Sequence, residues 1–349
     1  MIQRSAVRRP LAGILLLSGL IAATGQPTFA QPPVKDRIIP ARTWTLKTRD
    51  SLGALDDENA GAQEALDGLR WKPSDFRVSS SPLQREQDEA DALIRFPSPV
   101  PCGIEQCDSA SLHWYAARGD DGEVLEAPAV VIVHESGSRQ TIGRLFARAF
   151  RDKGVHAFLL SLPNYGPRRS PDSPATPDAL LVRMKQGIAD ARRARDVVAE
   201  IPAVDSQHIG LQGISLGGFV ATTAGSLDGA YHAVFIMLSG GDLAGIIRDG
   251  GDVAAQVRQR LAQAGIDGDA IEKLAWPVEP LRVAHRLNPE RTWMYTATRD
   301  QIIPRDSAMR LAEAAGLAES HHVMLAADHY TGVIYYPIIL NQMIEQLRK

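Results

Sequence analysis

Residues 208–221 read His208-Ile209-Gly210-Leu211-Gln212-Gly213-Ile214-Ser215-Leu216-Gly217-Gly218-Phe219-Val220-Ala221, and the character of the chain changes in their middle. Residues 208–213 have the short apolar pattern of a buried strand, and residues 216–224 that of a helix that follows it directly. Ser215 sits at the junction, flanked at two-residue spacing by Gly213 and Gly217. Small flanking residues let strand and helix approach closely, and the sharp turn between them exposes the serine hydroxyl. The same turn aims the first N–H groups of the new helix at any negative charge that develops beside the hydroxyl. Ser215 is therefore the candidate nucleophile, and the alternative is an idle serine in a glycine-rich turn.

Working outward, the same strand-then-helix rhythm repeats. Residues 92–96 and 109–117 alternate like half-buried strands, whereas 127–133 is a continuous β-branched run suited to a central strand. Residues 141–153 read as a helix ended by Gly154, 155–162 as a strand and 177–201 as a long amphipathic helix. After the serine, 233–239, 291–298 and 321–327 read as strands, with helices over 306–315 and 334–347. Strands alternating with helices predict an α/β fold with a mostly parallel central sheet covered on both faces. Residues 243–287 form a helix-rich stretch longer than one crossover needs, and are expected to be a helical lid over the carboxyl edge of the sheet.

A serine hydroxyl needs a base to take its proton, and the base needs an orienting carboxylate. Asp300 lies just beyond the strand at 291–298, and His329 just beyond the next one. Both are predicted at the edge where Ser215 sits, in the chain order Ser, Asp, His. Asp242 follows the strand after the serine and rivals Asp300, but its Gly240-Gly241-Asp242-Leu243 setting reads as a helix N-cap. A second donor for a developing oxyanion is expected from the loop His134-Glu135-Ser136-Gly137-Ser138-Arg139. The backbone N–H groups of Ser136 and Leu216 are the candidate pair. His134 is read as shaping that loop, and Glu135 as a partner of Arg139. Tyr165, Arg168 and Arg169 follow another strand and are candidate substrate contacts, with a loop salt bridge as the plainer account.

From about Asp91 to its end the chain resembles the α/β-hydrolase superfamily, in its Gly-Ile-Ser-Leu-Gly turn, acid, base and His-led loop. In detail it resembles the dienelactone-hydrolase and acetyl-esterase side, because His134-Glu135 is similar to the start of the dienelactone-hydrolase oxyanion loop. It departs where those enzymes carry Cys and this chain has Ser215, so their lactone substrate does not carry over. Lipase-type loops usually place Gly where Glu135 stands. The resemblance implies an α/β-hydrolase fold and a serine hydrolase of a small-molecule carboxylic ester, without metal or organic cofactor. It does not extend to residues 31–91.

The rest of the chain sets bounds. It has 349 residues, 44% hydrophobic and 23% charged, with a formal net charge of -3. That is ordinary globular composition, and no basic field argues for nucleic acid or an anionic membrane. Arg4, Arg8 and Arg9 precede an apolar run at 11–23 and then Thr28-Phe29-Ala30. That pattern predicts a signal peptide over 1–30 and export to the periplasm or medium, the alternative being an uncleaved anchor. In an exported chain the two cysteines, Cys102 and Cys107, are expected to form a local disulfide. Residues 31–91 are expected as a polar extension packed on the hydrolase body at 92–349, with one helix between 50 and 69. A serine peptidase of the same fold and a non-catalytic binding protein remain the alternative functions.

Overall fold

The computed structural model describes residues 38–84 and 89–349; the expected signal peptide at 1–30 lies outside the described residues. Among the described residues one ten-stranded sheet forms the centre of the fold. Its strands are β1 (Trp44–Arg49), β2 (Asp75–Pro82), β3 (Ala92–Pro97), β4 (Ser109–Tyr115), β5 (Ala127–Val133) and β6 (His156–Ser161). They continue as β7 (Val204–Ile214), β8 (Ala233–Met237), β9 (Thr292–Ala297) and β10 (His322–Leu325). The spatial order is β1-β2-β3-β4-β6-β5-β7-β8-β9-β10. Pairing is antiparallel from β1 through the β4–β6 pair and parallel from β6 to β10.

The period of two in each strand divides the core into two layers. Ala129, Val131 and Val133 of β5, Phe158 and Leu160 of β6, and Val234 and Ile236 of β8 face one layer. Val130, Ile132, Leu159, Phe235 and Met237 face the other. Helices α1 (Ala60–Leu69), α4 (Pro177–Ala199), α5 (Leu216–Ser226) and α9 (Arg305–Ala314) cover the first layer. Helices α3 (Thr141–Asp152) and α10 (Tyr336–Leu347) cover the second. A single turn, α2 (Glu105–Asp108), leads into β4, and three helices stand between β8 and β9: α6 (Leu243–Asp249), α7 (Asp252–Gln263) and α8 (Asp269–Ala275). Because the parallel strands share one direction, the loops after β5, β7, β8, β9 and β10 open at a single edge.

Residues 38–84 of the expected polar extension pack on this body and contribute to its sheet. β1 and β2 extend the sheet, and their polarity follows from its edge: alternate residues of β1, Thr45, Lys47 and Arg49, face solvent and are polar. The helix between 50 and 69 begins only at Ala60, where the Asn59 side chain accepts the N–H groups of Gly61 and Ala62. The residues before it are tied down by charge. Arg193 of α4 holds Asp50 through two bonds of 2.7 and 2.6 Å, and its guanidinium lies 4.4 Å from the Phe76 ring centre. Arg192 holds Asp228 at 2.7 and 2.8 Å and Asp196 at 3.0 Å. Asp196 in turn accepts the Ser51 N–H, and Asp228 that of Gly53.

The cysteine loop lacks the expected disulfide. Cys102 and Cys107 are free thiols, and the Cys107 Sγ points to the Arg168 carbonyl. The loop is closed by a carboxylate: Asp108 accepts the N–H groups of Cys102 at 2.7 Å and Gly103 at 2.9 Å.

The Arg193–Asp50 pair is buried on both sides, with side-chain exposures of 4% and 0%. Removing one partner strands the other charge in the core, a loss of about 3–5 kcal/mol. Asp50→Ala is therefore expected to lower the urea unfolding free energy by that amount; a loss below about 1 kcal/mol would contradict this role.

Candidate active site

Ser215 occupies backbone angles φ 52 and ψ -114, a region that a non-glycine residue enters only under constraint. Two hydrogen bonds impose it: the Ser215 N–H donates to the Met237 carbonyl at 2.9 Å, and the Gly218 N–H to the Ser215 carbonyl at 2.8 Å. The flanking glycines are sterically required. A Cβ at Gly213 would lie 2.2 Å from the Gly217 carbonyl oxygen, and one at Gly217 would lie 2.0 Å from that of Val133. Only without these carbons does α5 seat against β5 and β7 and present the serine at the carboxyl edge.

Asp300 and His329 complete a line at that edge. The Ser215 hydroxyl donates to His329 Nε2 across 3.0 Å, and His329 Nδ1 lies 2.7 Å from Asp300 Oδ2. A carboxylate at Nδ1 keeps the proton there, which leaves Nε2 free to accept. The second Asp300 oxygen accepts the N–H groups of Ile302 at 2.8 Å and Ile303 at 2.9 Å, so the carboxylate cannot rotate. Both loops are pinned to each other: Thr298 N–H donates to the Leu325 carbonyl and Arg299 N–H to that of Ala327. Asp328, beside the histidine, folds its loop by accepting the N–H groups of Tyr330 and Thr331. These bonds hold its carboxyl below the usual carboxylate range.

Asp242 points away from this line. Its carboxylate caps α6 through Gly245 N–H at 2.9 Å and pairs with Arg310 at 2.9 Å. Glu279, a residue without a sequence signal, takes the N–H groups of Asp242, Leu243 and Leu281, and so clamps the start of the helical insertion. Burial pushes its carboxyl up despite these bonds. The insertion meets the line from above: Gly251 N–H donates to the Gln301 carbonyl at 2.8 Å. Ile246 and Ala254 pack with Phe219, Ile302 and Ile303.

The loop after β5 is built around His134, which is fully buried. Leu162 N–H donates to its Nε2 at 3.1 Å, so Nδ1 carries the proton and donates to the Glu135 carbonyl at 2.5 Å. Glu135 makes a helix cap in place of the expected partnership with Arg139: its oxygens accept the N–H groups of Ile142 and Gly143 at 3.0 and 3.1 Å. Ser136, half-buried, follows in the same loop, and the Cβ position of Gly217 falls 2.7 Å from the His134 carbonyl oxygen. That contact brings the loop against the turn that carries Ser215 and Leu216.

The three candidate substrate contacts separate. Tyr165 lies against the loop, its ring 4.8 Å from that of His134, and burial pushes its phenol up. Arg169 is exposed. Arg168 is withdrawn: it is fully buried, paired with Asp190 at 2.7 Å, and donates to the carbonyls of Cys107 and Ser161. An ion that deep is stable only with a partner, and that partner is a helix residue beneath the sheet edge.

Burial drives the His134 imidazole down to about 4, because the charged ring would lose its water. A histidine depressed in the folded state stabilises fully above its unfolded value near 6.5 and loses that contribution as pH falls toward 4. The full span is worth about 3 kcal/mol. His134→Gln is expected to unfold with a correspondingly flatter pH dependence between 6.5 and 4 than the parent chain. Parallel curves for the two would show that His134 is not buried neutral.

No protein-family model matches the chain, and no curated protein matches its sequence. Solved structures do match. An acetyl xylan esterase from Paenibacillus sp. R4 superposes with a TM-score of 0.61 at 16% identity, over 84% of this chain and 96% of that one. Acetyl xylan esterase 1 from Thermoanaerobacterium sp. JW/SL YS485 gives 0.60 at 12%, over 84% and 96%. The α/β hydrolase GrgF from Penicillium sp. sh18 gives 0.52 at 17%, over 73% and 97%. With the parallel sheet, the serine turn and these likenesses together, the chain has the α/β-hydrolase fold.

Proposed function

We propose that the chain is a serine hydrolase that cleaves carboxylic esters. The observation that carries this reading is the line from Ser215 Oγ to His329 Nε2 at 3.0 Å and from His329 Nδ1 to Asp300 Oδ2 at 2.7 Å. As the Ser215 oxygen attacks the ester carbonyl, its proton passes to Nε2, and the Asp300 carboxylate stabilises the imidazolium that forms. Negative charge grows on the carbonyl oxygen. The N–H of Leu216, first residue of α5 and without an intrahelical acceptor, is one donor for it, and the N–H of Ser136 is the other. The proton on Nε2 then moves to the departing alcohol oxygen as the C–O bond breaks, leaving an acyl group on Ser215. Water, deprotonated by the same nitrogen, releases the acid and restores the serine.

Esters are favoured over amides because two of the structures that share the fold are acetyl xylan esterases. Export rests on residues 1–30 alone, with their basic start and short apolar run. No step calls on a group beyond the chain's own residues, an ester and water.

Substitutions separate the roles. Ser215→Ala is expected to remove p-nitrophenyl acetate hydrolysis. Asp300→Asn leaves His329 without its orienting charge and is expected to lower kcat by roughly 10³–10⁴-fold. Asp242→Asn is expected to change kcat by less than about threefold, since its carboxylate serves α6. A larger loss at Asp242 than at Asp300 would contradict the assignment.

A further inference from the structure

One exposed surface beside the candidate site is out of character with the rest of the chain. Tyr330, Ile334 and Ile338 follow His329 at four-residue intervals and are 63%, 68% and 72% exposed. They are the most exposed of the large apolar side chains among the described residues. Tyr330 precedes a short 3-10 helix, Thr331–Tyr335, that carries Ile334, and Ile338 lies in the first turn of α10, whose Ile339, Leu340, Met343, Ile344 and Leu347 are buried against the sheet. Isolated exposed apolar residues are ordinary on a protein surface, but three spaced along the segment that follows His329 are not.

Tyr330 ties this segment to the candidate site. The Tyr330 ring stands edge-on to the His329 ring with centres 5.8 Å apart. Its hydroxyl donates to Asp252 Oδ2 at 3.3 Å, on the first residue of α7. Val253, the next residue, is 38% exposed. Tyr330 thus spans from the histidine loop to the helical insertion. In ester cleavage the alcohol must leave on the histidine side of the serine, because Nε2 gives its proton to the departing oxygen. The acyl group stays on Ser215, its carbonyl oxygen toward the Leu216 and Ser136 N–H groups.

We infer that Tyr330, Ile334, Ile338 and Val253 form the receiving surface for the departing alcohol, and that the preferred substrates are esters of extended apolar alcohols. This rests on the esterase reading above and names its substrate class. An apolar alcohol covers these side chains while the ester is bound. A sugar hydroxyl or a polyol would meet no polar partner among the four beyond the Tyr330 phenol, already engaged with Asp252. The chemistry is unchanged: the C–O bond of the tetrahedral adduct breaks, the proton on Nε2 goes to the alcohol oxygen, and water later takes the acyl group.

The test holds the acyl group constant and varies the alcohol. Ethyl and hexyl acetate have leaving groups of similar basicity, and kcat/KM is expected to rise about tenfold from the first to the second. That is the order expected when the added methylenes lose roughly half of their water contact. The hexyl-to-ethyl ratio should fall to near one in the Ile334→Asp, Ile338→Asp double variant. It should persist in Leu125→Asp, which changes an exposed apolar residue just before β5, at the opposite edge of the sheet. Both variants are surface changes whose folding is checked by thermal unfolding. A flat alcohol series with hydrolysis intact, or a higher kcat/KM for xylose tetraacetate than for hexyl acetate, overturns the inference and leaves the esterase reading standing. So does a flat series with concentration-dependent sedimentation that Ile338→Asp abolishes, since the face then covers a second copy of the chain. Absence of hydrolysis of every ester, with no fluorophosphonate label on Ser215, removes the esterase reading and this inference with it.

Discussion

The close approach of α5 to β5 and β7 is the constraint on which the site depends. Gly213 and Gly217 lack the one carbon that would separate these elements, and a Cβ on either would lie inside a neighbouring carbonyl. With α5 seated, Ser215 is forced into a left-handed conformation by the carbonyl of Met237, and its hydroxyl stands clear of the sheet. The contact also sets the loop after β5, because the α5 backbone rests against Val133 and His134. One steric fact thus positions the serine, the first N–H groups of the helix and the loop that faces them.

A second set of constraints holds the partners still. Asp300 is fixed by two backbone donors, His329 by Asp300 and by the turn that Asp328 closes. The helical insertion is anchored at its start by Glu279, and it packs on the Asp300 loop through Ile246 and Ala254. The proposed proton relay would need its groups held to fractions of an ångström, and buried carboxylates with several donors achieve this better than exposed ones.

The parallel half of the fold was legible because each strand is buried on both faces and reads as a short apolar run. The positions of Ser215, Asp300 and His329 followed from the same runs, since each lies just past a strand end. What escaped the sequence shares a different physical character. The β1–β2 edge is half solvated, so its residues read as a polar extension and not as strands of the sheet. Arg168, Arg192 and Arg193 look like surface charges, yet lie buried against Asp190, Asp228 and Asp50, partners distant in sequence. Glu135 and Glu279 cap backbone several residues away, and no local pattern marks such a reach. For Cys102 and Cys107 the spacing pointed to a bond, whereas Asp108 already closes the loop. Burial with a remote partner is what a linear reading does not register.

The central claim is that Ser215 carries the acyl group, and trapping it is the direct measurement. The chain is mixed with p-nitrophenyl butanoate, quenched in acid within the first turnovers, digested and mapped by mass spectrometry. The account predicts a butanoyl adduct on the peptide containing Ser215, absent from Ser215→Ala. Turnover with no adduct at Ser215, or an adduct on another residue that survives in Ser215→Ala, would contradict it.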